Sequence, residues 1–149
     1  SSDAAVATVS DDGMVQAVGP GWATLGADLG PLHDELALQV TAPLPAEVTL
    51  AFAVSVPPST PAGDGVFLTG DLAQLGPWDP AALPLQPLSD GRWGASLTVP
   101  RTTSLAFKLT RGSWDTVEKA ADGSEQANRE WTAEADATVE STVQQWADE

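Results

Sequence analysis

Tryptophan is the residue type whose chemistry stands out in this chain, which has six Trp, three Phe and no Tyr. A Trp ring offers a flat, stiff apolar face with one N–H donor, and the C–H face of a pyranose ring can lie on such a surface. Trp78 occurs in the run GPWDP and Trp114 in the run RGSWD. Because turn residues flank both, we expect each ring to be exposed in a loop, where binding residues concentrate. The alternative is that each ring plugs one end of a barrel.

Basic residues gather in one part of the chain, although its formal net charge is −15. No Lys or Arg precedes Arg92, and five of the six basic residues lie between positions 101 and 129. The stretch Phe107–Arg129 combines most of these with Trp114 and an Asn-Arg pair, which follows an acidic loop that contains glycine. The hydroxyls of a stacked sugar need charged or amide partners at the rim, and this stretch contains both kinds.

The residue types of catalysis occur without the spacing that catalysis needs. His33 is the only histidine, it has no nucleophile motif nearby, and one histidine alone makes no zinc site. Carboxylate pairs are too numerous to mark a glycosidase site, and no G-x-S-x-G motif, phosphate-binding glycine loop or EF-hand loop occurs. The chain has no cysteine and therefore no disulfide or thiolate site. We predict a binding module with no catalytic residue, no metal and no cofactor.

The charge and hydropathy patterns limit which classes of binding partner we expect. A strongly acidic chain repels phosphate backbones, so we expect no nucleic-acid partner. No apolar run of 18 residues occurs, so we expect no membrane insertion. The start, SSDAAVATVS, lacks the basic and apolar regions of a signal peptide, which was either removed or lies upstream of a fragment. The acidic surface is typical of a secreted or salt-adapted protein.

The elements that position these residues are predicted to be β-strands. Short alternating runs end repeatedly in Gly, Pro, Asp or Ser, which is typical of a β-sandwich or barrel. Val48, Leu50, Phe52 and Val54 alternate with smaller or polar residues, which predicts one buried face. The predicted strands are Ala5–Val9, Met14–Val18, Trp22–Ala27, Glu35–Thr41, Val48–Val56, Val66–Thr69, Arg92–Val99, Leu105–Thr110 and Ala137–Trp146.

Three further patterns refine this prediction. Leu36, Leu38 and Val40 alternate with Ala37 and Gln39, so we expect them to form a buried face. The last strand alternates imperfectly, which indicates a bulge or an edge position. Residues 70–80 are predicted to form a loop, and the Pro-rich run 42–46 a linker between segment 1–42 and domain 46–147.

The first segment resembles the C-terminal half of a group 2 bacterial immunoglobulin-like domain, of the kind found in invasin-type surface proteins. The resemblance rests on VATVSDDGMVQAVGPGWATLGADLG, residues 6–30, with its D-G turn and its G-x-A-T-L run. Such domains have further strands before this point. The resemblance therefore implies either a fragment of a longer protein or strands that pair with a neighbour, because an incomplete sandwich leaves an open edge.

The second part resembles the family 20 carbohydrate-binding modules, the starch-binding domains. Four motifs occur in the family's order: VFLTGDLAQLGPWDP, RWGASLTVP, FKLTRG and ANREWT. The resemblance implies an immunoglobulin-like antiparallel β-sandwich, here with a short additional β segment at the N-terminus. It also implies non-catalytic binding of α-1,4-glucan, as one module of a larger extracellular or cell-surface protein.

The motifs also imply roles for single residues in a first sugar site. Trp78 matches the stacking Trp of the family's L-G-x-W motif, Lys108 a lysine that donates to sugar hydroxyls, and Asn128 the Asn of a P-N-R motif. The family's second stacking Trp has no clean match. Lys119 falls near its place, and Trp114 is our hypothesis for the missing ring.

A second sugar site is implied more weakly. Trp93 matches a Trp at the entry of a strand, but the two Tyr of that site have no counterparts, and Ala62 falls where one would be. We expect this site to be lost or feeble. On alternation alone, Trp93 belongs to the core face.

The remaining aromatic and basic residues have structural interpretations. We expect Arg129 to be an ion-pair or hydrogen-bond anchor and Trp131 to pack inside a strand. Trp22 and Trp146 are interpreted as structural or as linked to neighbouring domains.

A structural or assembly protein is the alternative function. On that interpretation the N-terminal strands pair with a neighbouring domain or subunit, and the sandwich is a spacer whose sugar site has decayed.

Overall fold

The computed structural model describes all 149 residues and divides them into two compact units, Ser1–Leu44 and Pro45–Glu149. Nearly all regular structure is β-strand, which confirms the predicted fold class. The strands are β1 (Ala7–Val9), β2 (Val15–Ala17), β3 (Gly21–Leu29), β4 (Leu32–Val40), β5 (Glu47–Ser55), β6 (Phe67–Gly70), β7 (Leu83–Pro84), β8 (Gln86–Pro87), β9 (Trp93–Pro100), β10 (Thr103–Thr110), β11 (Glu118–Lys119), β12 (Arg129–Ala133), β13 (Ala137–Thr142) and β14 (Gln145–Trp146).

The first unit consists of two antiparallel hairpins, β1–β2 and β3–β4. The β1–β2 turn is closed at the predicted Asp-Gly position, where Gly13 has a φ of +84° and its N–H donates to the Ser10 carbonyl. The β3–β4 ladder runs from Gly21 opposite Val40 to Leu29 opposite Leu32. Both strands of that hairpin extend further toward the turn than the sequence predicts.

The predicted buried face of β4 is largely wrong. Leu36 is 64% exposed, and Leu38 and Val40 are only half-buried. The buried apolar residues of this unit are Val6, Ala7 and Ala23. Two-stranded sheets offer too little surface to cover an apolar face, so alternation predicts the face of a residue but not its burial.

The second unit is a sandwich of two four-stranded sheets, in the orders β12-β10-β6-β7 and β13-β5-β9-β8. The predicted alternation of β5 is confirmed, because Val48, Leu50, Phe52 and Val54 are all buried. Phe52 and Phe107 meet edge to face across the core, with ring centroids 5.3 Å apart. Such a contact joins the two sheets and adds about 1 kcal/mol beyond burial.

The end of the chain differs from its prediction in two respects. The predicted single strand is divided into β13 and β14, and β14 pairs with β11. As predicted, β13 lies at a sheet edge, but it pairs with β5 in parallel, so the sandwich is not wholly antiparallel. The predicted loop 70–80 contains 3₁₀ turns over Ala73–Trp78, which are interrupted by non-helical backbone at Leu75, Gly76 and Pro77, and a 3₁₀ helix spans Trp114–Thr116. No helix in the structure has the length and apolar character needed to cross a membrane.

The turn between β9 and β10 offers a stability prediction. Thr102 has a φ of +71°, a conformation that is unfavourable for a β-branched residue and tolerated by Asn. We expect Thr102→Asn to raise the free energy of unfolding by about 0.5–1 kcal/mol in urea titrations. Thr138→Asn, the same change in the extended backbone of β13, is the matched control and should be neutral or destabilising. Equal effects of the two variants would contradict the strain argument.

Candidate functional site

Strand β10 organises the candidate site at its C-terminal end. Leu105, Phe107 and Leu109 fill the core, so Lys108 and Thr110 point to the opposite face. The Thr110 hydroxyl donates to the Pro80 carbonyl, and the Thr110 backbone forms a β-bridge with residue 117. The loops that carry Trp78 and Trp114 therefore meet at the end of one strand.

Trp78 is held at this end by a tightly packed turn. Leu75, in the interrupted 3₁₀ turns before Trp78, is fully buried, and Gly70 lies so close to Leu75 and to the Ala106 carbonyl that no Cβ would fit there. The Trp78 ring is half-buried, and its backbone φ of +65° is unfavourable for a bulky residue. Strained backbone of this kind is found at functional sites, where the surrounding packing enforces it.

Trp114 presents its ring to solvent at the other loop. It begins a one-turn 3₁₀ helix and is 43% exposed. The turn is closed by the Thr116 N–H, which donates to the Ser113 carbonyl at 3.2 Å, and by the Arg111 N–H, which donates to the Thr116 carbonyl at 3.3 Å. The ring is an exposed apolar surface on an anchored turn and does not plug the sandwich.

The polar residues predicted for the site form an ion-pair cluster. The Lys108 ammonium donates to Glu125 Oε1 at 3.3 Å and to the Gln126 carbonyl, and the Lys119 ammonium donates to Glu125 Oε2 at 2.5 Å. Lys108 itself is buried. The hydrogen bond from Lys119, then that from Lys108, holds the pKa of the Glu125 carboxyl below its usual value. No sequence pattern marks Glu125, because one Glu in an acidic loop looks like any other.

Asn128 completes the group at the edge of the sheet. It is exposed and immediately precedes β12, whose Arg129 pairs with Phe107 of β10. Continuing that antiparallel register places Asn128 beside Lys108. Five of the six predicted site residues (Trp78, Lys108, Trp114, Lys119 and Asn128) thus lie on the elements around the end of β10.

Arg129 forms a buried ion pair next to these site residues, in agreement with its predicted role as an anchor. Its guanidinium donates to Glu118 Oε2 through Nε at 3.0 Å and through a terminal nitrogen at 2.7 Å, and also to the Thr142 carbonyl at 2.7 Å. Glu118 is fully buried and accepts the Leu109 N–H at 3.0 Å as well. The sequence did not single out Glu118, because a buried carboxylate gives no periodic signal.

Trp93 lies apart from this cluster. It begins β9, in the other sheet, where it packs against the core and is half-buried. It also lines a shallow groove of about 580 Å³ with Ala62 and Asp64. The structure therefore separates the residue of the weaker predicted site from the five at the end of β10.

Comparison with known protein families decides the identity of the second unit. Residues 47–143, more than half of the chain, match the family described as the starch binding domain. The chain belongs to the starch-binding domain family. The prediction that the chain contains a starch-binding module with a β-sandwich fold is confirmed.

Curated relatives of this starch-binding domain include much longer proteins. An alpha-amylase of Niallia circulans is 45% identical over 102 residues, which cover 68% of this chain and 8% of that protein. An amylopullulanase of Thermoanaerobacterium thermosulfurigenes is 30% identical over 155 residues, covering 96% of this chain and 8% of that protein. The chain thus spans less than a tenth of these relatives.

Solved structures show the same fold. A glycoside hydrolase family 15 glucoamylase from Hypocrea jecorina aligns with a TM-score of 0.57 and 22% identity, over 73% of this chain and 18% of that one. A gamma-CGTase from alkalophilic Bacillus clarkii aligns with a TM-score of 0.52 and 20% identity, over 93% of this chain and 18% of that one.

The other Trp residues of the starch-binding domain occupy different environments. Trp146 is fully buried, donates to the Thr60 hydroxyl at 2.9 Å and lies under the Arg111 guanidinium, which confirms its structural role. Trp131 lies in β12 but is more than a third exposed, so the expectation that it packs inside the strand is wrong. The cause is its position in an edge strand, where the open side of the sheet leaves part of the ring uncovered.

Proposed function

We propose that the starch-binding domain holds an α-1,4-glucan at the end of β10. Trp78 and Trp114 supply the stacking surfaces, and Lys108, Lys119 and Asn128 belong to the polar part of the site. The observation that carries this proposal is the convergence of two Trp loops, one with a strained backbone and one with an exposed ring, on the strand that contains Lys108.

The expected affinity is modest. One stacked ring contributes on the order of 1 kcal/mol beyond burial, and each exposed hydrogen bond to a hydroxyl about 0.5–1.5 kcal/mol. One or two rings with a few hydrogen bonds give a dissociation constant of roughly 10 µM to 1 mM. Tethering to other modules would then strengthen retention on a polymer.

We propose that the chain is one module of a larger secreted or surface protein that acts on or adheres to starch. The relatives named above are an alpha-amylase and an amylopullulanase, and this chain spans only a small part of each. A module of modest affinity keeps such a protein close to its polymer, where the effective concentration of substrate is high.

For the first unit we propose part of a group 2 bacterial immunoglobulin-like domain. Its large exposed apolar residues support an incomplete sandwich, and Trp22, Leu29 and Leu32 are each more than two-thirds exposed. The same observation favours the second candidate function, in which this unit pairs with a neighbouring domain or subunit. We propose further that the groove at Trp93 binds sugar feebly, because no tyrosine lines it.

Titration with β-cyclodextrin tests the proposed function. We expect the Trp fluorescence of the unaltered chain to change with sub-millimolar ligand, and the chain to be retained on insoluble starch. Trp114→Ala should weaken binding about five- to tenfold, because it removes one stacking ring.

Trp22→Ala is the matched control, because it removes an exposed Trp from the first unit. Equal affinities for the Trp114 and Trp22 variants would exclude Trp114 as a stacking residue. If the unaltered chain gave no response at millimolar ligand, the spacer interpretation would replace sugar binding.

A further inference from the structure

Thr110 connects the two loops that carry the candidate stacking rings. It is the last residue of β10 and is fully buried. Its hydroxyl donates to the Pro80 carbonyl and also accepts the Gly112 N–H at 3.1 Å. Pro80 follows Trp78 by two residues, and Gly112 precedes Trp114 by two residues. One buried hydroxyl therefore holds both Trp loops to the end of the same strand.

The loop of Trp78 leaves little freedom between the ring and this attachment. The Asp79 N–H donates to the Gly76 carbonyl at 2.9 Å, and the Asp79 carbonyl accepts the Ala82 N–H at 3.1 Å. The ring of Pro80 fixes its own φ. Because the backbone between Trp78 and Pro80 is held on both sides, a displacement of the Pro80 carbonyl would move the Trp78 side chain with it.

The loop of Trp114 is held closely at Gly112. This glycine has a φ of +97°, and a Cβ at its position would lie 3.3 Å from the ring of Phe67. Phe67 is itself the partner of Thr110 in the ladder between β6 and β10. The Gly112 backbone thus packs against a ring beside Thr110, and the Thr110 hydroxyl accepts its N–H.

A second buried threonine nearby makes no such connection. Thr69 of β6 lies opposite Lys108 and is fully buried, but its hydroxyl has no hydrogen-bond partner. The Thr110 hydroxyl, in contrast, uses its single donor and one acceptor position on two different loops. The two side chains have the same chemistry and the same burial, so they differ only in what the hydroxyl joins.

We propose that Thr110 is a positioning residue of the glucan site, which fixes the two Trp rings relative to each other. This inference rests on the proposed glucan site and adds a preference for ligands that cover both rings. Such a glucan gains affinity from a spacing that is set before it binds, whereas a ligand on one ring gains nothing from it. Thr110 acts through the loops, because its hydroxyl is buried and bonded to backbone groups on both sides.

A double-mutant cycle with Trp114→Ala tests the proposal, with β-cyclodextrin affinity as the readout. Thr110→Val keeps the shape of the side chain and removes the hydroxyl, and we expect it to weaken binding about fivefold. In the Trp114→Ala background the same change should weaken binding less than about twofold, since a single ring has no spacing to keep. Mere destabilisation would lower the affinity by the same factor in both backgrounds, and that result would overturn the proposal.

Two conservative variants complete the test. Thr110→Ser retains the hydroxyl and should bind with unaltered affinity, and a loss in this variant would contradict the proposal even if Thr110→Val failed to fold. Thr69→Val is the matched control, because it removes a buried hydroxyl that has no partner. We expect it to leave the affinity unchanged and to be at least as stable as the unaltered chain in urea titrations. Equal affinity losses for Thr69→Val and Thr110→Val would exclude a specific role for Thr110.

The same variants separate this inference from the proposed function. If Trp78→Ala and Trp114→Ala weakened binding while Thr110→Val had no effect, the glucan site would stand and the positioning role of Thr110 would fail. If the unaltered chain did not bind β-cyclodextrin, both would fail.

Discussion

Replacing Trp78 with alanine is expected to abolish retention on starch and to weaken β-cyclodextrin binding at least thirtyfold. An aromatic residue that the ligand covers at the centre of a binding site contributes about 2 kcal/mol or more, and 2 kcal/mol corresponds to roughly thirtyfold in affinity. For a dissociation constant of roughly 10 µM to 1 mM, a thirtyfold loss gives roughly 0.3 to 30 mM. Fluorescence titration and affinity electrophoresis in starch-containing gels would measure the loss.

The strained backbone at Trp78 adds a second measurement. Its φ of +65° is unfavourable for alanine and natural for glycine. Trp78→Gly and Trp78→Ala should therefore lose binding equally, while the glycine variant has the higher free energy of unfolding, by about 1 kcal/mol. This result would show that the strained backbone at Trp78 serves to position its ring for binding.

Trp131→Ala is the matched control for Trp78. It removes a partly exposed Trp from the same unit, from an edge strand outside the candidate site. We expect wild-type affinity for this variant. If Trp131→Ala lost binding and Trp78→Ala did not, the glucan site would have to be moved to the groove of about 390 Å³ that Asp71, Glu130 and Trp131 line.

Replacing Arg129 with methionine is expected to destabilise the second unit by about 3–5 kcal/mol, because it leaves a buried carboxylate without its counter-ion. Glu118 would keep only the Leu109 N–H as a donor. For a domain of about 100 residues this corresponds to a fall in Tm of roughly 15–30 °C. Urea titration monitored by Trp fluorescence would measure the change.

Two further variants make the test of the Glu118–Arg129 pair specific. Glu118→Met combined with Arg129→Met should recover much of the lost stability, since two apolar side chains leave no unpaired charge. Arg92→Met is the control, because it breaks ion pairs to the exposed carboxylates of Asp90 and Glu140, and it should cost no more than about 1 kcal/mol. An effect of Arg129→Met as small as that of Arg92→Met would contradict the structural role of the pair.

The sequence alone determined the type of fold. Strict alternation in β5 and β10 specifies which side chains face inward, and turn residues at regular intervals specify where each strand ends. These are local properties, set by neighbours two residues away. The same logic placed Trp78 and Trp114 in turns, because Gly, Pro, Ser and Asp favour turn conformations wherever they occur.

Burial and pairing between distant residues were decided by the tertiary structure. Leu36 and Leu50 both alternate in the same way, yet Leu36 is exposed and Leu50 is fully buried, because only Leu50 has a second sheet packed over it. The parallel pairing of β13 with β5 joins residues 137–142 to residues 50–55, a distance along the chain that no local pattern encodes.

The candidate site, like the fold, was predicted from the sequence only in part. Sequence motifs pointed to Trp78, Lys108 and Asn128, because their residue types and order are visible in the chain. The sequence does not show which side chains contact the functional residues. In the sequence, no pattern distinguishes Glu118 or Glu125 from the other carboxylates of the chain. Folding buries the first against Arg129 and exposes the second between two lysines. The physical reason is that the state and role of a charged group depend on its surroundings in space, which the tertiary structure alone supplies.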